Sequence, residues 1–197
     1  MINLIQAHPL FCQQTALGAQ FHSFQQKILS LAQAIGLDLS ALEIDHLAVR
    51  VNSQQKGQDW LDSLLKYGTL LSDNIVNGRA IYLVTLSQEI IFAGQGVSVI
   101  ELPMPKNRVY PQEGWEHIEV VIPFLIKESP NEWQERIIRQ FGLNENPLLR
   151  VKVSEPKVAG EKLCNISLAI TFVDKTKNDC CIKLHPYHIT DVVKQER

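Results

Sequence analysis

No stretch of this chain approaches the roughly 18 consecutive apolar residues of a membrane-crossing helix. The first residues also lack a basic segment followed by an apolar run, the pattern of a secretory leader. Both absences predict a cytoplasmic protein with no membrane partner. An excess of charge of one sign is missing as well: 19 Lys and Arg stand against 21 Asp and Glu, a formal net charge of -2. Such a balance offers no basic field to a phosphate backbone, so no nucleic-acid partner is expected. Cysteine is sparse. Cys12, Cys164, Cys180 and Cys181 form neither a CxxC pair nor a regular framework, and the adjacent Cys180 and Cys181 should point to opposite faces of a strand. Reduced, structural thiols are the expectation. The glycine-rich phosphate loop, the GxSxG elbow and the compact HExxH motif are absent, which leaves nucleophilic catalysis little support.

What is present is an ordinary globular composition, 197 residues with 45% hydrophobic and 20% charged side chains. That length can bury a substantial core without disulfide or metal staples. Phe21, Phe24, Ile28, Leu31 and Ile35 recur at three- and four-residue spacing and predict an amphipathic helix ending near Gly36. Ala7 to Thr15, which contains Pro9, reads as a short separate helix or an irregular lead-in. Residues 1–41 are therefore expected to be a helical extension on a main body of residues 42–197.

From Ile44 the periodicity changes. A strand at Ile44 to Val51 is followed by a helix over Gln54 to Tyr67, closed by Gly68. Strands follow at Thr69 to Val76, at Arg79 to Leu86 after the hairpin signal Asn77-Gly78, and at Val97 to Leu102. After a proline-bearing loop the order begins again. A strand at Trp115 to Ile122 precedes a helix over Pro130 to Phe141, and strands follow at Leu149 to Val153, Ile166 to Val173 and Cys180 to Leu184. The tail from Tyr187 is expected to form a last short helix. The chain thus reads as α+β, a tandem pair of one strand-helix-strand-strand-strand unit, with module one at about 44–103 and module two at about 115–186.

The first strand of each module places a histidine on the face away from its apolar residues. Leu47, Val49 and Val51 oppose His46, while Ile118, Val120 and Ile122 oppose His117. The last strands do the same with Glu101, opposite Ile100 and Leu102, and with His185, opposite Ile182 and Leu184. If a pseudo-twofold axis relates the modules, these four side chains emerge from matched places into one cleft. Three imidazoles and a carboxylate suit a borderline divalent ion such as Zn, Ni, Fe, Co or Mn. Glu119, on the face of His117, could serve as a substitute ligand, an acceptor for an imidazole N-H, or a general base. Arg50 and Arg79 could orient an anionic substrate. Taken one at a time, each of these residues is more often structural; order and parity together single them out. His8, His22 and His188 fall outside the set and are read as surface or packing residues.

Several of these residues lie in runs that resemble the YecM family of bacterial proteins, placed in the vicinal oxygen chelate (glyoxalase/dioxygenase-like) superfamily. The runs are Asp45-His46, Asn77-Gly78-Arg79, Val99 to Pro103, Tyr110-Pro111, Glu113 to Glu119, Ile182-Lys183 and His185-Pro186. The resemblance covers nearly the whole chain from about residue 20, and the run from Tyr110 to Glu119 is specific. It implies paired βαβββ modules curving into a cup, with metal ligands from the first and last strands of each module: His46, Glu101, His117 and His185. The chain departs from the superfamily pattern at His185, where glutamate is common. The resemblance supplies a site but no established reaction; the function expected is a metal-dependent isomerase, epimerase or lyase acting on a small oxygenated metabolite, with Glu119 or Glu101 moving the proton. Dioxygenase chemistry is a less favoured variant, and a non-catalytic module that binds a small molecule or metal in the same cup is the alternative. A monomer or a homodimer would suffice.

Overall fold

The computed structural model describes residues 8–12, 15–106, 108–155 and 166–195. Two short-range patterns start the chain: helix α1 at Pro9–Cys12 and helix α2 at Thr15–Ile35. Strand β1 (Glu43–Arg50), helix α3 (Gln54–Leu65) and strands β2 (Gly68–Ser72), β3 (Ile75–Val76), β4 (Arg79–Phe92) and β5 (Gln95–Pro103) make the first module. Strand β6 (Gly114–Val121), helix α4 (Pro130–Gln140) and strands β7 (Leu149–Ser154), β8 (Ser167–Phe172) and β9 (Cys181–His185) make the second. Helix α5 (Ile189–Gln195) closes the chain. The tandem βαβββ order expected from the sequence is present.

Both modules build one curved mixed sheet in the order β2-β4-β5-β1-β6-β9-β8-β7, with short β3 paired to β4 alone. The modules meet where β1 and β6 pair antiparallel, and each of these strands has the last strand of its own module parallel on its outer side. The strand expected over Thr69 to Val76 is broken in two, and β4 runs past the expected Leu86 to Phe92. Asn77 and Gly78 both have positive φ, 49° and 78°, the turn that matches the twist of a two-residue hairpin between β3 and β4.

One face of the sheet carries the core. Leu47 and Val49 of β1, Ile100 and Leu102 of β5, Ile118 and Val120 of β6 and Ile182 and Leu184 of β9 are buried there. Helices cover that face: Phe21, Phe24, Ile28 and Leu31 of α2, Leu61 and Leu64 of α3, and Trp133 and Ile137 of α4 belong to the same cluster. Side chains of the first helices are thus packed into the core of the main body. Burying each such large apolar side chain contributes about 1.5 to 3 kcal/mol before entropy is counted. Trp115, at the start of β6, packs among Phe21, Phe24 and Trp60. Helix α4 is started by a capping box between Ser129 and Glu132, and Trp133 donates from Nε1 to the Ile122 carbonyl at 2.7 Å.

The opposite face is polar near the middle of the sheet. Its module-one side is partly roofed by α5, whose Val193 packs on Leu83 and Val99. Among the described residues no helix is long and apolar enough to cross a membrane. Cys180 and Cys181 are buried thiols, and burial pushes both up to about 12, so they stay protonated; Cys164 lies outside the described residues.

Candidate metal centre

The register of the four central strands decides which side chains meet. Across the β1–β6 pair His46 faces Glu119, and Ala48 faces His117. On the outer side of β1, Ala48 pairs with Glu101 of β5. Paired residues share a face of the sheet, so His46, Glu101, His117 and Glu119 converge over Ala48, whose methyl group leaves room between them. All four are buried, and one donor atom from each lies within 4.8 Å of every other. The cluster therefore comes from three strands rather than four.

Its separations fit an ion between the side chains better than contact among them. His46 Nε2 lies 3.7 Å from Glu101 Oε2 and 3.8 Å from Glu119 Oε1. His117 Nε2 lies 3.6 Å from Glu101 Oε1 and 3.9 Å from Glu119 Oε1. These are too long for hydrogen bonds, while donors held about 2.1 Å from a common centre stand about 3 to 4.2 Å apart. Both Nε2 atoms are buried with no hydrogen-bond partner. Leaving such an atom unsatisfied costs about 1 to 3 kcal/mol, and here two of them point at two carboxylates.

The other nitrogen of each ring is tied down. His46 Nδ1 lies 2.8 Å from Asp45 Oδ2, and His117 Nδ1 lies 2.5 Å from Glu116 Oε2. A carboxylate on Nδ1 fixes the tautomer that donates there and leaves the Nε2 lone pair aimed into the cup. Successive strand residues normally face opposite ways, so a residue reaches its neighbour's ring only where the strand is irregular. The β1–β6 register slips between Ile44 and His46, which makes Asp45 the extra residue on β1, and again beyond Ala48, which makes Glu116 the extra residue on β6. Both orienting carboxylates were missed by the sequence reading. The repeated acid-histidine dipeptide, Asp45-His46 and Glu116-His117, was the signal that could have found them.

The local twofold axis implied by this register carries His46 onto His117 and Ala48 onto Glu119. Extended to the outer strands, it carries Glu101, beside Ala48, onto Lys183, beside Glu119. The expected fourth ligand, His185, stands two residues further along β9, level with Val121. Its Nδ1 lies 2.8 Å from the Tyr187 carbonyl oxygen, and it is not part of the four-residue cluster. Parity alone could not separate positions 183 and 185, which share a face. Glu119 is the fourth member of the cluster, and its Oε1 accepts from Lys183 Nζ at 2.9 Å.

The arginines divide. Arg50 forms an ion pair with Glu116, and its guanidinium lies 4.3 Å from the centre of the Tyr110 ring, so it braces the carboxylate behind His117. Arg79 lines a cavity of about 410 Å³ over the cluster, together with Glu101, Lys106, Glu119, Lys152 and Lys183. A second cavity of about 170 Å³ reaches the cluster beside Arg50, Glu101 and His117. His188, set aside in the sequence reading, contacts Asp45 at 3.1 Å and Glu43 at 3.0 Å.

Charge at the site is finely matched. Burial works against an ionised Glu116, but His117, Arg50 and Lys183 outweigh it and hold the group at about 2. Burial works against Glu119 too, and Lys183 with the neighbouring histidines keeps it well below the usual carboxylate range. For His46, burial disfavours the cation, yet Glu119, Asp45 and Glu101 prevail and raise it to about 9. Four carboxylates, Asp45, Glu101, Glu116 and Glu119, face the permanent cations Lys183 and Arg50. With both imidazoles neutral, as ligation would require, the remainder is two negative charges, the charge of one divalent ion; without an ion the proton on His46 offsets one of them. Two imidazole nitrogens and two carboxylates form a donor set suited to Zn, Fe(II), Co, Ni or Mn.

Paired βαβββ modules with a buried two-histidine, two-carboxylate cluster at their junction define the class of protein that the geometry describes. The chain belongs to the YecM protein family, whose model matches residues 13–196. It is 57% identical over 176 residues to an uncharacterised protein of Haemophilus influenzae, covering 89% of this chain and 91% of that one. It is 36% identical over 167 residues to Protein YecM of Escherichia coli K12, covering 85% of each. A solved structure described as Protein EC4020 superposes with a TM-score of 0.78 at 30% identity, over 100% of this chain and 98% of that one.

Proposed function

We propose that this protein binds one divalent first-row ion through His46, Glu101, His117 and Glu119, and uses it on a small oxygenated acid in an isomerase, epimerase or lyase reaction. The observation that carries the reading is the pair of buried, unpartnered Nε2 atoms, each on a ring whose Nδ1 is held by a carboxylate. A bound ion would act as a Lewis acid on vicinal oxygens of the ligand. The protein's own part is positional. Asp45 and Glu116 orient the imidazoles, Ala48 keeps the floor open, and Arg79 faces the cavity where an anionic group would enter. Proton transfer falls to Glu119 or Glu101, the carboxylates on the cavity side. Glu119 is the weaker base while Lys183 holds its Oε1, because the ammonium stabilises the charged form.

That same hold favours a second reading, a module that binds a small acid or a metal without turnover. Metal analysis of protein purified without chelator tests the shared premise: one equivalent is expected in the wild type and none in His46→Ala or His117→Ala. No bound metal in wild type under metal-replete conditions would overturn both readings. A screen of 2-oxo and hydroxy acids on the metal-loaded protein then separates them, turnover supporting the enzyme and binding alone the module.

A further inference from the structure

The twofold register leaves one position of the cup with an opposite charge. Where module one presents Glu101 to the centre, module two presents Lys183. Its ammonium is separated from the ligand cluster by a single carboxylate oxygen, Glu119 Oε1, which also faces both imidazoles. An ammonium has three N-H donors. Among the described residues the hydrogen bond found for Lys183 Nζ is the one to Glu119, which uses one of the three. Lys183 borders both cavities that reach the cluster, and its side chain keeps 26% of its surface open. The larger cavity adds three further cations, Arg79, Lys106 and Lys152, against Glu155 on the same wall.

We propose that Lys183 is the anion-binding residue of the cup: it takes the place of a symmetric carboxylate ligand and holds a carboxylate oxygen of a small acid beside the ion. With one divalent ion bound, Lys183 and Arg50 complete the balance of the inner carboxylates, and Arg79, Lys106 and Lys152 then outnumber Glu155 on the cavity wall, so an incoming carboxylate meets net positive charge beside the remaining N-H donors of Lys183. A 2-oxo or 2-hydroxy acid would place one oxygen toward the ion and another within reach of the free N-H donors of Lys183. The inference rests on the metal reading and deepens it by naming the anionic end of the ligand.

The test uses the full chain loaded with Co(II), whose visible spectrum reports changes at the ion. Cobalt content is measured first, then the spectrum is titrated with oxalate, an anionic probe, and separately with imidazole, a neutral one. Wild type is expected to hold one cobalt and to bind both probes. Lys183→Met and Lys183→Gln should keep the cobalt and bind imidazole as wild type does, but bind oxalate about tenfold more weakly or worse, the loss of a charge-assisted hydrogen bond. Lys183→Arg, which keeps the charge, should recover much of the oxalate affinity. Glutamine retains a hydrogen bond to Glu119, so it answers the question if the methionine variant does not fold. Oxalate affinity unchanged in a cobalt-loaded neutral variant overturns the role of Lys183 alone, and so does an equal loss of oxalate and imidazole. Absence of stoichiometric cobalt from wild type overturns the metal centre and this inference with it.

Discussion

Asp45 and Glu116 are the same device used twice: each is the extra residue of a bulge between β1 and β6, and each places a carboxylate on the Nδ1 of the histidine that follows it. The pair explains why two buried imidazoles offer the same nitrogen to the same space. Asp45 does one thing more. Its carboxylate also accepts from the backbone N-H of Ile189, so the start of α5 is tied to the back of His46.

Removing either carboxylate should loosen the ion without removing a ligand. Asp45→Asn and Glu116→Gln are expected to keep one metal per chain but to weaken its binding by about 10- to 100-fold, the usual effect of losing a partner behind a ligating histidine. Competition against a chromophoric chelator measures this. Affinity equal to wild type in both variants would show that the bulge carboxylates do not orient the rings.

Glu119→Ala and His185→Ala distinguish the two candidates for the fourth donor. The first should lose stoichiometric metal, while the second should retain it, because His185 lies level with Val121 and engages Tyr187. Metal analysis of the two purified variants decides the matter, and the reverse pattern would restore the expectation drawn from the sequence.

Ala48 is fully buried between Glu101 and His117, one on each neighbouring strand. Ala48→Leu should fill the floor of the cup and abolish metal uptake, at a stability cost of about 1 to 3 kcal/mol for overpacking. Urea denaturation and metal analysis read the two effects. Full metal occupancy in the variant would mean that the ion does not sit over Ala48.

Acid and base should act on the site in opposite senses. His46 is raised from 6.5 to about 9, so its charged form stabilises the metal-free fold fully below pH 6.5, and that contribution is lost as pH rises through about 9. Glu116 is lowered from 4.5 to about 2, so its contribution is present above pH 4.5 and is lost as pH falls towards about 2. A metal must displace the proton from His46. Metal affinity should therefore rise with pH up to about 9 and then level off, and calorimetry in buffers of different ionisation enthalpy at pH 7.5 should detect about one proton released per ion. Binding with no proton release would contradict this.

Much of the architecture was legible in one dimension because alternation and helical spacing are local properties. The period-two pattern of Leu47-Val49 and Ile118-Val120 placed His46 and His117 on the face away from the core, and the repeated element order announced two modules. Glu101 followed from the same parity. What alternation cannot supply is height along a neighbouring strand: it assigns Lys183 and His185 to one face without telling which stands level with His117. Nor can it foresee a bulge, which breaks the alternation, so Asp45 and Glu116 were assigned no role and the ion pair of Arg50 with Glu116 was not foreseen.

By itself, the amino-acid order determined the two modules, the buried face of each strand and the side of the sheet that carries His46, Glu101 and His117, since these depend on neighbours a few positions apart. The pairing of β1 with β6 and of β6 with β9 decided the rest: Glu119 as the fourth member of the cluster, Lys183 level with it, and the two bulge acids behind the histidines. Strand register is set by packing and connections across the whole sheet, and that balance exists only once the chain has closed on itself.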